Sequence, residues 1–149
     1  MRDKLYYYKA KVLKVIDGDT MDVEIDLGFG IYKKERLRLV GIDTPEKHSD
    51  RPEEEKAAEA VRRWVENKTE GIDIYIRSDK LKKGGFGRYI AEVNIPVMGG
   101  EASLNETLIK MGFARKYFSG ASKTPWDKNK IQSINHRLNW LFEKEEYNA

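Results

Sequence analysis

Alternating strands, interrupted once by a helix and followed by two more helices, put this chain in the α+β class, mainly β with helices added. Three observations predict it. Apolar and polar residues alternate at period two in the first half and again near residue 74, as in strands with one wet face. In three other stretches the apolar spacing changes to three and four, the stripe of an amphipathic helix. Between these runs stand Asp17-Gly18, Gly28 to Gly30 and Gly84 to Gly87, which supply turns. With 149 residues, 40% hydrophobic and 36% charged, the chain can bury one core and is too apolar to stay disordered. A single domain over residues 1–149 is expected.

Tyr7 to Ile16 read as the first strand, ending at the Asp17-Gly18 turn. In the second, Met21, Val23, Ile25 and Leu27 alternate with Asp22, Glu24 and Asp26. Ile31 to Ile42 form the third, with Leu37 and Leu39 facing opposite to Arg38 and Val40. Pro52 opens a helix whose first turn is acidic, as the helix dipole favours, and whose Ala57, Ala60, Val61, Trp64 and Val65 make a core stripe. Ile72, Ile74 and Ile76 mark the fourth strand, and Arg88 to Val93 the fifth. Leu104, Leu108 and Met111 mark a second helix; Ile131, Ile134, Leu138, Leu141 and Phe142 mark a third, begun after Pro125. Five strands with a helix between the third and fourth follow the order of an OB-fold, a partly open barrel often used for oligonucleotides. The fold alone does not establish an activity.

Net charge is +3, so the chain is no histone-like polycation. Its charges are uneven, however. Arg77, Lys80, Lys82, Lys83 and Arg88 fall in one stretch, and Glu53, Glu54, Glu55 and Glu59 in another. The basic stretch, with Lys82 and Lys83 at its centre, is either a solvated turn or a surface that attracts a polyanion. The absence of cysteine excludes disulfides, thiolate metal sites and a cysteine nucleophile. No run approaches membrane-spanning length, and the first residues lack the apolar core of a signal peptide. A cytoplasmic or virus-encoded protein, or a secreted one whose leader has been removed, is the expectation. A monomer is expected.

Three segments carry chemistry: Asp17-Gly18-Asp19-Thr20, Arg38 followed by Asp43-Thr44-Pro45-Glu46, and Gly87-Arg88. They supply clustered carboxylates for a divalent cation, arginines for a phosphate and a glutamate for a proton, which is what phosphodiester hydrolysis needs. Oxygen donors without histidine or cysteine in the motifs suit Ca²⁺ or Mg²⁺ rather than zinc. Guanidinium forks match phosphate oxygens in two-point contacts that lysine cannot reproduce. Arg38 lies in the apolar run Leu37-Arg38-Leu39-Val40, where an unpaired charge is costly, so a defined partner is expected. Arg36 or Lys34 is the alternative clamp if the strand register differs. An isolated Asp-Gly is more often a plain hairpin turn, and a lone Glu46 a salt bridge or cap; their company favours chemistry.

With these motifs, from about Val12 to Trp140, the chain resembles the staphylococcal (micrococcal) nuclease or thermonuclease family. The resemblance adds Leu104-Asn105-Glu106 with Gly112-Phe113-Ala114, and Leu138-Asn139-Trp140, which look like the family's later helices. It implies a closed five-stranded OB barrel with three helices and selects calcium. It also implies Asp19 and Asp43 as direct metal ligands, the Thr44 carbonyl as a third and Asp17 in the outer shell. Glu46 is then the general base, directly or through a metal-held water, and Arg38 and Arg88 are the phosphate clamps. DNA and RNA are the implied substrates, with 3′-phosphate and 5′-hydroxyl products. Contacts to phosphate carry little base specificity.

The chain departs from the better-known pattern at the rim. Gly85-Phe86 stands where a lysine-tyrosine pair is often found, which removes a phenol hydrogen bond but leaves Phe86 to pack on a base or sugar. The loop after Glu46, at Lys47 to Arg51, looks short. Tyr117 is either the substrate-side aromatic or an ordinary core or surface residue. His48 and His136 read as incidental. The rival reading is a catalytically inactive nucleic-acid-binding OB module; such modules typically lack some ligands or clamps, whereas Asp19, Arg38, Asp43, Glu46 and Arg88 are all present here.

Overall fold

The computed structural model describes residues 5–83, 89–118 and 121–148. Its β1 (Tyr7–Asp17) is flanked by β2 (Thr20–Asp26) and β5 (Asp73–Lys83), both antiparallel to it. Next to β5 runs β6 (Tyr89–Val97), and β3 (Tyr32–Leu39) follows β2. The ring closes where β3 pairs parallel with β6, Leu37 opposite Tyr89 and Leu39 opposite Ala91. A closed, mixed five-stranded barrel with three helices results, the OB-type α+β architecture expected from the sequence. A short strand β7 (Gly100–Ser103) extends β6 outside the ring, and β4 (Ile42–Asp43) pairs with β8 (Arg115–Lys116) in a small second sheet. At two to four residues each, these three strands leave no period-two pattern in the sequence.

The period-two runs fill the barrel as expected. Met21, Val23 and Ile25 of β2, Ile74 and Ile76 of β5, and Ala91, Val93 and Ile95 of β6 are all buried. Leu27 belongs to the turn instead, partly exposed beside a fully exposed Phe29. The third strand is shorter than its hydrophobic run suggests. It stops at Leu39, because Gly41 adopts φ +78° and turns the chain into β4.

Helix α1 (Pro52–Thr69) begins with proline at its N-terminus and buries Ala57, Val61, Trp64 and Val65. It packs against β1 and against α3 (Lys128–Asn148), which contributes Ile131, Ile134, Leu138 and Phe142 to the core. Trp64 meets Phe113 edge to face at 5.3 Å. Helix α2 (Leu104–Lys110) is capped by Ser103, whose hydroxyl accepts from the Glu106 N–H. Its buried Asn105 accepts from Val93 N–H at 3.1 Å and donates to the Val40 carbonyl at 2.9 Å. One side chain thus ties β6 to the end of β3, just before the chain reaches β4. Among the described residues no helix is long and apolar enough to cross a membrane.

Candidate active site

Strand register brings the first two motifs together. Thr20 stands opposite Arg38 across β2 and β3, so the Asp19 one residue earlier lies beside the arginine. Their backbones are joined as well, since Leu39 N–H donates to the Asp19 carbonyl at 2.8 Å. Arg38 Nη1 lies 3.0 Å from Asp19 Oδ2, and Arg38 Nη2 lies 4.0 Å from Asp43 Oδ1. Asp19 is further held by Thr20, whose hydroxyl donates to Oδ1 at 3.0 Å, and by the Thr44 N–H, which donates to Oδ2 at 3.2 Å. Asp19, Asp43 and Thr44 are all buried. Asp17 closes β1 at the same turn, opposite Thr20.

Gly18 explains how that turn can sit so deep. A Cβ on it would lie 2.6 Å from Val61 Cγ1 of α1 and 3.0 Å from Thr44 Cγ2. The glycine is required for close approach, which lets the carboxylate turn wedge between helix and loop. The turn is therefore more than a plain hairpin link.

Around Asp43 the second sheet does the positioning. Asp43 stands opposite Arg115 across β4 and β8. Arg115 reaches Asp43 Oδ2 with Nε at 3.1 Å and Nη2 at 3.0 Å. The same guanidinium donates to the Thr124 carbonyl at 2.7 Å and lies 4.7 Å over the Trp126 ring. Lys123 Nζ sits 3.2 Å from Asp43 Oδ1 and 3.6 Å from Glu46 Oε1, and 5.2 Å over the ring of half-buried Tyr117. Glu46 projects into solvent, while its N–H is held at 2.9 Å by Glu54 Oε2, a buried carboxylate of α1 that also pairs with Arg51. Asp43, Glu46, His48, Glu54, Arg115 and Lys123 help line an open cleft of about 530 Å³.

The structure therefore gathers Asp19, Arg38, Asp43, Thr44 and Glu46 at one end of the barrel, with Tyr117 on the rim. Arg88 and Phe86 lie outside the described residues, and of Lys82 and Lys83 only the backbone, at the end of β5, is described. Arg36, the alternative clamp, is committed elsewhere: its Nε and Nη2 grip the two oxygens of Asp22 at 2.7 and 3.1 Å. That hydrogen bonding holds the Asp22 carboxyl below the usual carboxylate range. Lys34 stands opposite Glu24 on the outer strand face.

Among the described residues no three His, Cys, Asp or Glu side chains cluster as a ready metal cage. The donor chemistry nevertheless fits a hard cation. Asp43 Oδ1 is buried and accepts no hydrogen bond; Lys123 is within ion-pair distance but not aligned to donate. A buried carboxylate oxygen without a donor is costly, and a cation is the partner that relieves it.

The family model described as staphylococcal nuclease homologue matches residues 36–137. The chain belongs to this family. It is 34% identical to a thermonuclease of Staphylococcus hyicus, over 72% of this chain and 59% of the relative. A thermonuclease of Staphylococcus intermedius is 30% identical, over 72% and 58%. An uncharacterized protein of Methanocaldococcus jannaschii is 32% identical, over 76% and 61%. The chain thus spans about three fifths of the length of these curated relatives. The family match begins after the Asp17-to-Thr20 turn, and the β2–β3 register is what brings that turn to the matched residues.

Sequence reasoning missed Arg115, Lys123 and Glu54. Glu54 was legible only as one acid among several in a helix's first turn. Arg115 follows directly on the Gly112-Phe113-Ala114 segment, and its proximity to Asp43 depends on the two-residue β4–β8 pairing, too short for any periodic signal.

Proposed function

We propose that the chain is a calcium-dependent nuclease that hydrolyses DNA and RNA phosphodiester bonds and leaves 3′-phosphate and 5′-hydroxyl ends. The observation that carries this reading is the meeting of Asp19 with Arg38 and Asp43, from two separate motifs, beside a cleft that Glu46 lines. Asp19, Asp43 and the Thr44 carbonyl would hold the calcium, with Asp17 outside them. Bound there, the ion supplies neutralisation of charge at a non-bridging phosphoryl oxygen.

The chain's own residues do the rest. Arg38 binds the phosphoryl oxygens, and its charge stabilises the five-coordinate transition state as water attacks in line with the departing 5′-oxygen. Among the described residues its contacts are the Asp19 carboxylate, the distant Asp43 oxygen and the Leu39 carbonyl at 3.4 Å, so guanidinium donors remain for a phosphate. Arg88 is the second clamp by its Gly-Arg motif. Glu46 projects into the cleft, where it orders the attacking water and takes up its proton, directly or through that water network. Tyr117, Phe86, Lys82 and Lys83 form the substrate-side rim of this reading.

The test is cleavage of labelled single- and double-stranded DNA and RNA with calcium, magnesium or chelator, and analysis of the product ends. Calcium-dependent products ending in 3′-phosphate are expected. Tight oligonucleotide binding without cleavage under any metal would instead identify a binding module.

A further inference from the structure

Besides Arg38 at 4.0 Å, two cations lie close against Asp43, and they are held in different ways. Arg115 is locked: both its nitrogens on Asp43 Oδ2 belong to a guanidinium fixed by the Thr124 carbonyl and packed over Trp126. Lys123 is held by charge alone. Its ammonium spans Asp43 Oδ1 and Glu46 Oε1 at 3.2 and 3.6 Å and rests over Tyr117, and its side chain is 43% exposed. The oxygen it faces is the buried one that accepts no hydrogen bond.

We propose that Lys123 is a built-in counter-ion that occupies the charge position of the divalent cation and competes with it, while Arg115 is a positioning residue that turns Asp43 Oδ1 toward that cation. The inference rests on the calcium reading above. Without Lys123 or a metal, Asp43 would keep Arg115 on Oδ2, but no cation would lie between Asp43 Oδ1 and Glu46, and the repulsion between the two carboxylates opposes folding of the empty site. With the ammonium in place the empty site is balanced. An arriving divalent ion must then displace a positive charge from Asp43 Oδ1, and its affinity is lowered by that repulsion. A flexible, half-exposed lysine stem can swing away into solvent; a guanidinium fixed at three points cannot. Release of the ammonium also frees Glu46 from its ion pair. Metal occupancy and an unpaired Glu46 are thereby linked.

Opposite signs for the two cations make this testable. Lys123→Met and Arg115→Met each remove one positive charge near Asp43. Calcium binding is measured by titration calorimetry, and unfolding temperature in chelator and in saturating calcium. Lys123→Met is expected to bind calcium about tenfold more tightly, from the loss of one like charge a few ångströms away. It is also expected to melt lower than the parent in chelator, with that deficit closing in calcium. Arg115→Met is expected to bind calcium more weakly, because Asp43 loses its orientation. Should Arg115→Met unfold, Arg115→Lys keeps the charge, loses the fork and carries the same expectation. Unchanged or weaker calcium binding in a folded Lys123→Met overturns the competition, and tighter binding in both folded variants overturns the positioning role of Arg115. A parent that binds no calcium overturns the metal reading itself, and this inference with it.

Discussion

Two aspartate–arginine pairs link β3 to β2 or to the turn that leads into it, and they differ in nearly everything else. Asp22 and Arg36 form a closed fork, with two contacts at 2.7 and 3.1 Å, side chains 31% and 50% exposed. Asp19 and Arg38, two residues further along β3, share one contact at 3.0 Å, with side chains 11% and 14% exposed. The outer pair is satisfied and wet, and such pairs contribute little to stability. The inner pair is desolvated yet incompletely matched, an arrangement that costs free energy unless something else completes it. Identical chemistry on one ladder thus separates into a surface ornament and a site, and the difference is burial with unused hydrogen-bonding capacity.

Exchanging each arginine for lysine is the largest test of that contrast. Arg38→Lys keeps the charge and loses the two-point grip, so turnover is expected to fall by a factor on the order of 10³, the scale of transition-state arginines in phosphoryl transfer. Arg36→Lys is expected to leave turnover within about twofold, since its fork serves Asp22 alone. Single-turnover cleavage with calcium, on variants whose thermal melts confirm folding, measures both. Equal losses would mean that burial does not distinguish the two pairs in function.

A smaller effect is expected at Glu46, which belongs to the inner group although its side chain is 57% exposed. Glu46→Gln preserves size and removes charge and most of the basicity. Cleavage is expected to drop by roughly 10², the usual scale for a positioned base, while affinity for a short oligonucleotide is kept or slightly improved. The paired measurement matters, because replacing a glutamate that only repelled phosphate would raise affinity and leave the rate alone.

The outer pair and the inner pair were not equally legible in the sequence. The barrel strands were readable because Met21, Val23 and Ile25 alternate with acids, and α1 because Ala57, Val61 and Trp64 recur at helical spacing. Arg38 announced itself as a charge in an apolar run, and the structure gives it a buried partner. What could not be read was contact through brief elements. β4 and β8 have two residues each, so the pairing that sets Arg115 on Asp43 leaves no pattern along the chain. Lys123 lies in a stretch without regular secondary structure, and its link to Glu46 depends on tertiary placement alone. The apolar run overstates the third strand, because Val40 and Ile42 continue it while Gly41 breaks the backbone.

The two ends of β2 sharpen the comparison on the side of stability. Gly28, at the outer end, has φ +80° and nothing within 4 Å of the methyl an alanine would carry there, whereas Gly18, at the inner end, faces Val61 Cγ1 at 2.6 Å. Gly18→Ala is expected to destabilise by about 1–3 kcal/mol, the usual cost of overpacking, because buried Val61 has no room to yield. It is also expected to lower calcium affinity as the Asp19 turn is pushed outward. Gly28→Ala carries only backbone strain, about 1 kcal/mol, and no change in calcium affinity. Denaturant unfolding with calorimetry on both variants checks this, and an equal calcium effect at the two ends would contradict the wedge at Gly18.

The smallest expected effect lies in the acid limb of stability, and it belongs to the outer pair. Hydrogen bonding from Arg36 lowers the Asp22 pKa in the folded state, a cause larger than the opposing burial or the coulombic attraction. A depressed carboxylate pKa adds stability above the unfolded-state value, and that contribution is lost as pH falls through the folded-state value. Because the pair is wet, the amount is expected to be at most about 1 kcal/mol. Asp22→Asn abolishes the titration, so its unfolding free energy is expected to fall short of the parent's at neutral pH and to converge with it under acid. Urea unfolding from neutral pH into the acid range measures the difference. A gap that widened with acidification would reverse the sign and show that Asp22 is not stabilised as a carboxylate by Arg36.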